Sequence, residues 1–370
     1  MPRLFLILIF LTGTIFTVSG QNFFVTNTPV TSGANSLTLK FENTGFFKNN
    51  EFKSAFTNGY TLTGNWIRPK LVYLPSEKVE IELGWHYLLY NGSEKATWSI
   101  PWISARIRFL DNWQFILGDL DNSRNHRLIS PIWEPERFLS DKPEAGFQFL
   151  HRSKQFYFDG WLNWEQFISD GDPFQEHLTA GISAEATLVR SQNIALTLPL
   201  QVLFHHMGGE IDSSPLRVQT LANTAIGLKT SLSLSYPFIS GLEFAGYYSS
   251  FSDQKGNAGL PFEKGDGIFA IGSLSTKIGQ FGLQYWNSEN YYSIKGMGLL
   301  QSVPGIKIPY SASDYKKEMF QVFYEFEKEL TKGFTLGTRL EGWFEQNPNN
   351  FSNTAAVYMV INQDFLLKKF

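Results

Sequence analysis

The sequence has 370 residues and contains no cysteine. An exported chain without cysteine cannot depend on disulfide bonds, so its stability must come from a large core or from a closed sheet. The missing cysteine also excludes a lipoprotein anchor after a cleaved leader. A formal net charge of −3 gives no support for nucleic-acid binding, and we expect no nucleic-acid partner.

Long hydrophobic runs are confined to the N-terminus. The segment from Leu4 to Phe16 is almost uninterrupted apolar sequence, preceded by a basic residue and followed by small residues. This pattern predicts a secretory signal peptide at 1–20. A membrane anchor is the alternative, but a helix that spans a bilayer needs about twenty apolar residues. Two fold classes remain: a soluble all-β protein, or a membrane barrel in which apolar residues that face lipid alternate with polar residues that face inward.

Alternation with a period of two runs through the rest of the chain. In Lys78 to Tyr90 one face is apolar and the other polar, and the same pattern recurs along the sequence. The apolar face of this example consists of Val79, Ile81, Leu83, Trp85, Tyr87 and Leu89, and the opposite face of Glu80, Glu82, Gly84 and His86. Read in this way, 36–370 contains about sixteen strands, with short turns and long polar loops in alternation.

These features predict an all-β fold, a closed antiparallel transmembrane β-barrel with short periplasmic turns and long extracellular loops. A sheet in hydrocarbon must leave no backbone group unpaired, which only closure achieves. The segment 21–35 is expected to be a periplasmic segment ahead of the barrel. The predicted location is the outer membrane of a Gram-negative bacterium, after export directed by the signal peptide.

The overall architecture resembles the general-porin class of bacterial outer-membrane proteins. The resemblance lies in the even strand number, the alternating turn and loop lengths, the C-terminal Phe370 and the long irregular loop 119–143 after the fifth strand. In that class the third long loop folds into the barrel and narrows it. The resemblance therefore implies passive diffusion of small polar solutes, with 119–143 as the constriction. Asp364 and Lys368 share the phase of Phe370, which departs from the family pattern.

Strand phase also predicts which charged side chains point inward. The pore-lining candidates are Arg68, Lys70, Glu80, Glu82, Arg106, Arg108, Asp159, Glu165, Glu185, Arg339 and Glu341. A wall with basic and acidic clusters sets up a field across the lumen that orders polar solutes and tunes ion preference. The alternative is that neighbouring strands pair these charges only to satisfy them inside a filled barrel.

The loop 119–143 mixes charged and apolar residues. Its apolar residues could pin it against a wall, while its charged residues reach solvent in the channel. The constriction candidates are Arg124, Arg127, Glu134, Glu136 and Arg137. The alternative is that the loop forms an outward cap or a protein-binding surface.

Catalysis has one weak candidate in the sequence. His205 and His206 lie at a strand end, and Ser213 and Ser214 follow in the next loop. Adjacent histidines on a strand point to opposite faces, and nothing beyond proximity links them to a serine. We therefore expect no enzyme activity, no cofactor and no metal site. An accessory or scaffold subunit of a larger outer-membrane complex and, less favoured, an outer-membrane hydrolase remain as alternatives. The expected partners are outer-membrane lipids, the barrel-assembly machinery during biogenesis, small polar solutes, and a homo-oligomer or an outer-membrane complex.

Overall fold

A computed structural model describes residues 33–121, 123–304, 315–346 and 349–370. The predicted signal peptide, 1–20, and most of the predicted periplasmic segment, 21–35, lie outside the described residues. Within the part of the chain that is described, no helix is both long and apolar enough to cross a membrane.

The described residues form sixteen strands that pair antiparallel in chain order, and β1 pairs with β16 to close the sheet. The closed sixteen-strand barrel confirms the predicted fold class. The strands are β1 (Ser36–Lys53), β2 (Asn58–Ser76), β3 (Val79–Tyr90), β4 (Trp98–Leu110), β5 (Trp113–Asp119), β6 (Ala145–Arg152), β7 (Phe156–Gln166), β8 (His177–Arg190), β9 (Ile194–Met207), β10 (Gln219–Ser233), β11 (Ile239–Asp253), β12 (Lys264–Thr276), β13 (Gly279–Glu289), β14 (Lys316–Thr331), β15 (Phe334–Glu345) and β16 (Asn350–Lys369).

The two faces of the barrel wall invert the polarity of a water-soluble protein. Lys40 and Lys70 point inward and are 0% and 1% exposed, whereas the neighbouring outward residues Leu71 and Leu83 are 44% and 53% exposed. Large apolar side chains on the outside and buried charges on the inside are what a barrel in contact with lipid requires. The outward-facing residues of the strands therefore form the surface that contacts the membrane.

The connections differ in length at the two ends of the barrel. At one end the turns are tight; Asn112, for example, adopts a φ of +65° in the turn between β4 and β5. At the other end the connections are long, and two segments of the described residues enter the lumen. We call 120–144, between β5 and β6, the first loop, and 290–304, after β13, the second loop. The first loop contains a 3-10 helix, Ser123–Arg127, and one short helix, α1 (Arg137–Ser140).

Both loops lie inside the barrel and fill much of it. Ile132 and Trp133 of the first loop and Leu299 of the second loop belong to one buried apolar cluster. The same cluster includes Trp161 of β7 and Trp286 of β13, which point inward from the wall. Burial of these side chains against the wall fixes the two loops within the lumen, since each large apolar side chain gains about 1.5–3 kcal/mol from burial.

Candidate functional site

The first loop is fixed to the barrel wall by His126. This residue adopts a left-handed conformation with a φ of +53° and is fully buried. Its Nδ1 lies 2.8 Å from Asp159 of β7, and its Nε2 lies 2.7 Å from Glu144. Burial by itself would lower the pKa of His126, but the carboxylates of Glu144 and Asp159 outweigh it and raise the pKa to about 10. A protonated imidazole therefore links the loop to the wall at neutral pH.

A second attachment of the first loop is the carboxylate of Glu136. Lys48 and Asn50 of β1 and Tyr60 of β2 all donate hydrogen bonds to it, and it is 6% exposed. Burial, together with the nearby carboxylate of Glu136, raises the pKa of Glu134 to about 7. The loop thus spans the lumen from β7 to β1 and β2, and its charged residues act as attachments to the wall.

The two loops also contact each other near the centre of the lumen. The backbone N–H of Glu134 donates to the carbonyl of Lys295 at 2.8 Å, and the N–H of Met297 donates to the carbonyl of Ser130 at 3.1 Å. The Arg137 Nε also donates to the carbonyl of Lys295, at 2.7 Å. Together they form one plug, and this plug carries Lys295 toward the wall.

Lys295 completes a cluster of polar side chains on three neighbouring strands. Its Nζ lies 2.7 Å from the carboxylate of Glu165 on β7. The hydroxyl of Thr179 on β8 donates to the same carboxylate and lies 3.0 Å from Nδ1 of His205 on β9. The ring of His177, at the start of β8, meets the ring of His205 edge to face with centroids 5.7 Å apart. We call Glu165, His177, Thr179, His205 and Lys295 the β7–β9 cluster.

Strand register explains why these residues meet. Thr179 and His205 are directly opposite each other across the β8–β9 pair. The β7–β8 pairing shifts between Trp164 and Gln166, so Glu165 lies in a bulge at the end of β7. Bulges redirect side chains and are frequent beside functional sites. The result is a group of polar side chains that converges at the long-loop end of the barrel.

A cavity of about 300 Å³ opens beside this cluster. It lies between the wall and the plug, and its lining includes Glu165, His177 and Lys295 together with Arg137, Lys142 and Asn163. A polar cavity of this size accommodates water and part of a small polar group. Three members of the β7–β9 cluster, Glu165, His177 and Lys295, therefore border a space inside the lumen.

The other predicted inward charges are engaged in ion pairs along the wall. Lys70 lies 3.1 Å from Glu42 and 3.1 Å from Glu82, and Arg68 lies 3.6 Å from Glu42 while its guanidinium stacks 3.9 Å over the ring of Trp102. All of these charged side chains are buried. This group joins β1, β2 and β3 inside the barrel.

The remaining predicted charges are also paired, some across neighbouring elements and some within one strand or loop. Glu80 lies 3.6 Å from Arg106 and 3.3 Å from Arg108. The further pairs are Glu185 with Arg127 and Lys229, at 2.6 and 2.7 Å; Arg339 with Glu325 and Glu341, at 2.5 and 2.6 Å; Arg137 with Asp141, at 2.5 Å; and Asp159 with His126. The side chain of Arg124 lies outside the described part of the structure.

The histidine and serine pattern noted in the sequence does not form a nucleophile and base. Nδ1 of His206 pairs with the hydroxyl of Thr220, and the hydroxyl of Ser213 donates to the carbonyl of Asp172. His205 instead contacts His177 and Thr179, and Lys295 lies on the other side of Glu165; the sequence pattern had indicated none of these three residues. The one sequence feature that could have indicated this cluster is His177, at an inward-facing position at the start of β8.

A protein-family model described as Lipid A 3'-O-deacylase-type matches residues 29–370. The chain belongs to this family. The expectation that the protein is not an enzyme is therefore wrong, because the family is defined by a deacylase. The alternation of apolar and polar residues in the strands reflects contact with lipid and does not indicate catalysis. The sequence pattern alone therefore favoured a channel. No curated protein sequence matches the chain.

Solved structures confirm the resemblance to porin-like outer-membrane barrels. OprD from Pseudomonas aeruginosa has a TM-score of 0.52 and 9% identity, with 93% of this chain and 97% of that chain covered. OccK2 (OpdF) from the same organism, in complex with glucuronate, has a TM-score of 0.51 and 7% identity, with 91% and 100% covered. OmpT from Vibrio cholerae has a TM-score of 0.50 and 7% identity, with 91% and 100% covered. Identities this low show a shared fold.

Proposed function

We propose that the protein is an outer-membrane hydrolase that cleaves an acyl ester of a lipid or glycolipid at the β7–β9 cluster. Membership in the Lipid A 3'-O-deacylase-type family supports the reaction class. The observation that carries the choice of site is the hydroxyl of Thr179, held between the His205 ring and the carboxylate of Glu165, a residue that lines the cavity.

The hydrogen bonds around Thr179 define the state of His205. The hydroxyl has one proton, which it donates to Glu165, a carboxylate that is paired with Lys295 and can only accept. The Thr179 oxygen is then the acceptor for Nδ1–H of His205, which lies 3.0 Å away. In this tautomer Nε2 of His205 carries the lone pair. A histidine oriented in this way by a carboxylate-linked group is prepared to act as a general base.

The hydrolysis balances with these groups. His205 takes a proton from a water that enters the cluster from the adjacent cavity, as the water oxygen attacks the acyl carbonyl carbon. When the tetrahedral intermediate collapses, the ester C–O bond breaks and the protonated imidazole returns the proton to the departing alkoxide. The products are a free fatty acid and an alcohol. Lys295 and Arg137, which line the same cavity, place positive charge where the carbonyl oxygen becomes negative.

A matched pair of histidines on one strand tests this proposal. His205 points into the lumen and is 8% exposed, while its neighbour His206 bonds Thr220 outside the cluster. The purified protein, folded in detergent, would be incubated with outer-membrane lipids, and released fatty acids would be measured by mass spectrometry. We expect His205→Ala to abolish release and His206→Ala to retain it.

Equal release from both variants would contradict the assignment of the site. Absence of release from folded wild-type protein on every acylated outer-membrane lipid would contradict the hydrolase function itself.

The passive channel for small polar solutes is the second candidate function, and the two loops within the lumen make its conductance a direct test. The barrel-assembly machinery and a homo-oligomer or larger complex stay as proposed partners, alongside the lipid that contacts the outer face.

A further inference from the structure

The β7–β9 cluster contains one carboxylate and two imidazoles that converge from three neighbouring strands. Glu165, His177 and His205 each present a potential ligand atom, and these atoms lie within 4.8 Å of one another. Two imidazoles and one carboxylate are a ligand set found in catalytic zinc sites, where a water molecule takes the fourth position. We infer that these three residues bind a divalent transition-metal ion of the zinc type.

The positions of the ligands suit an ion that keeps one coordination place open. Zinc bonds to imidazole nitrogen and carboxylate oxygen are about 2.0–2.2 Å long. The three ligand atoms must therefore approach one another by a small amount, which side-chain rotation on fixed strands can provide. His177 is half-buried and borders the cavity, so water reaches the fourth position.

Thr179 supplies the support that ligands of a metal ion usually have. Its hydroxyl contacts both Glu165 and His205, so one side chain orients two of the three ligands. Hydrogen bonds of this kind fix the tautomer of a ligating histidine and the rotation of a ligating carboxylate. Nε2 of His205, which keeps its lone pair in this arrangement, is the natural donor atom.

Lys295 competes with the ion for Glu165. Its ammonium lies 2.7 Å from the carboxylate and supplies the positive charge that the acidic group requires. An incoming ion must displace this ammonium, and the second loop that carries Lys295 would shift with it. Removing the charge of Lys295 should therefore increase the affinity of the site for the ion. A variant that only damaged the site would instead decrease this affinity.

The catalytic role of the ion rests on the proposed function, whereas ion binding does not. A bound zinc-type ion lowers the pKa of its water and supplies hydroxide as a nucleophile at neutral pH. In that state His205 is a ligand, and activation of the water passes from the imidazole to the ion. Binding itself is independent of any activity and can be measured without a lipid substrate.

The test is a titration of chelator-treated, folded protein with Zn²⁺ by calorimetry and with Co²⁺ by visible absorption. We expect one ion per chain, and a Co²⁺ spectrum typical of a four-coordinate site. His177→Ala, His205→Ala and Glu165→Gln should each weaken binding by more than about tenfold, the scale on which even outer-shell partners act. Lys295→Met should strengthen binding, and His206→Ala should leave it unchanged.

His177→Ala is the least disruptive of the ligand variants because His177 is half-buried, whereas His205 is buried and Glu165 forms an ion pair with Lys295. Unboiled electrophoresis establishes that each variant forms a barrel. Absence of binding, or binding that all three ligand variants retain, would overturn the metal site. Loss of the ion with hydrolysis intact would also overturn a catalytic ion while leaving the hydrolase proposal standing, whereas binding without hydrolysis would contradict the hydrolase proposal and leave the site standing.

Discussion

The imidazole of His126 lies flat against the indole of Trp161, with ring centroids 3.8 Å apart and 6° between the ring planes. The same imidazole faces carboxylates at both nitrogens, one on β7 and one at the end of the first loop. Stacking sets the position of the ring, and the carboxylates set its charge. The protonated state of His126 is therefore one of the interactions that hold the first loop in its inward position.

Raising the pH should release the first loop. The folded pKa of His126 is about 10 and its ordinary value is 6.5. Because the folded value is the higher one, the stabilisation is fully present below pH 6.5 and is lost as the pH rises through 10. Cleavage of the first loop by a protease active at alkaline pH, mapped by mass spectrometry, should increase between pH 8 and pH 11. His126→Gln, which cannot titrate, should lose this dependence; unchanged protection of wild-type protein up to pH 11 would contradict the account.

Removing the carboxylate of Glu136 should detach the other end of the loop. Lys48 and Tyr60 would be left without their acceptor, and breaking a buried charged pair on one side costs about 3–5 kcal/mol. We expect Glu136→Ala to make the loop accessible to protease at neutral pH, with barrel formation unchanged. Protection equal to that of wild type would contradict a role for Glu136 in holding the loop.

The neighbouring Glu134 should respond in the opposite direction. Its pKa in the folded protein is about 7, above the ordinary value of 4.5, because burial and Glu136 disfavour the charged form. A raised carboxyl pKa means that folding becomes less favourable as the pH rises from 4.5 through 7. Glu134→Gln removes this penalty, so it should protect the loop more than wild type does at pH 8 and equally at pH 4. Greater cleavage of the variant at pH 8 would contradict this assignment.

The conductance of the barrel tests how completely the loops fill it. In a planar bilayer we expect wild-type protein to pass little current, because buried residues of both loops occupy the lumen. Deleting 124–139 should increase the conductance in clear steps, since it removes most of the first loop from the plug of a sixteen-stranded barrel. Large conductance of the wild type would instead favour the passive channel.

The barrel could be predicted from sequence because each strand carries its own signal. Lipid requires an apolar residue at every second position, so Ile81 and Leu83 alternate with Glu80 and Glu82 regardless of what the protein does. The length and composition of 119–143 similarly indicated a loop that could fold inward. The residues that attach this loop to the wall could not be predicted from the sequence, because the attachments depend on which strand lies opposite each charged residue of the loop.

The candidate site could not be predicted from the sequence for a related reason. Glu165, His177 and His205 are separated by one loop and one turn, and Lys295 comes from another loop. Their convergence depends on the β8–β9 register and on the bulge at Glu165, neither of which sequence periodicity specifies. Local proximity instead suggested His205 with Ser213, whereas in the structure His205 bonds Thr179 and Ser213 donates to the carbonyl of Asp172.

The central claim is most directly tested by hydrolysis in water enriched in oxygen-18. Folded wild-type protein and His205→Ala would each be incubated with outer-membrane lipids, and the fatty acids released would be analysed by mass spectrometry. The account predicts that wild type releases fatty acid carrying one labelled oxygen, and that His205→Ala releases none above the rate without protein. Unlabelled product, or equal release by the variant, would contradict hydrolysis at the β7–β9 cluster.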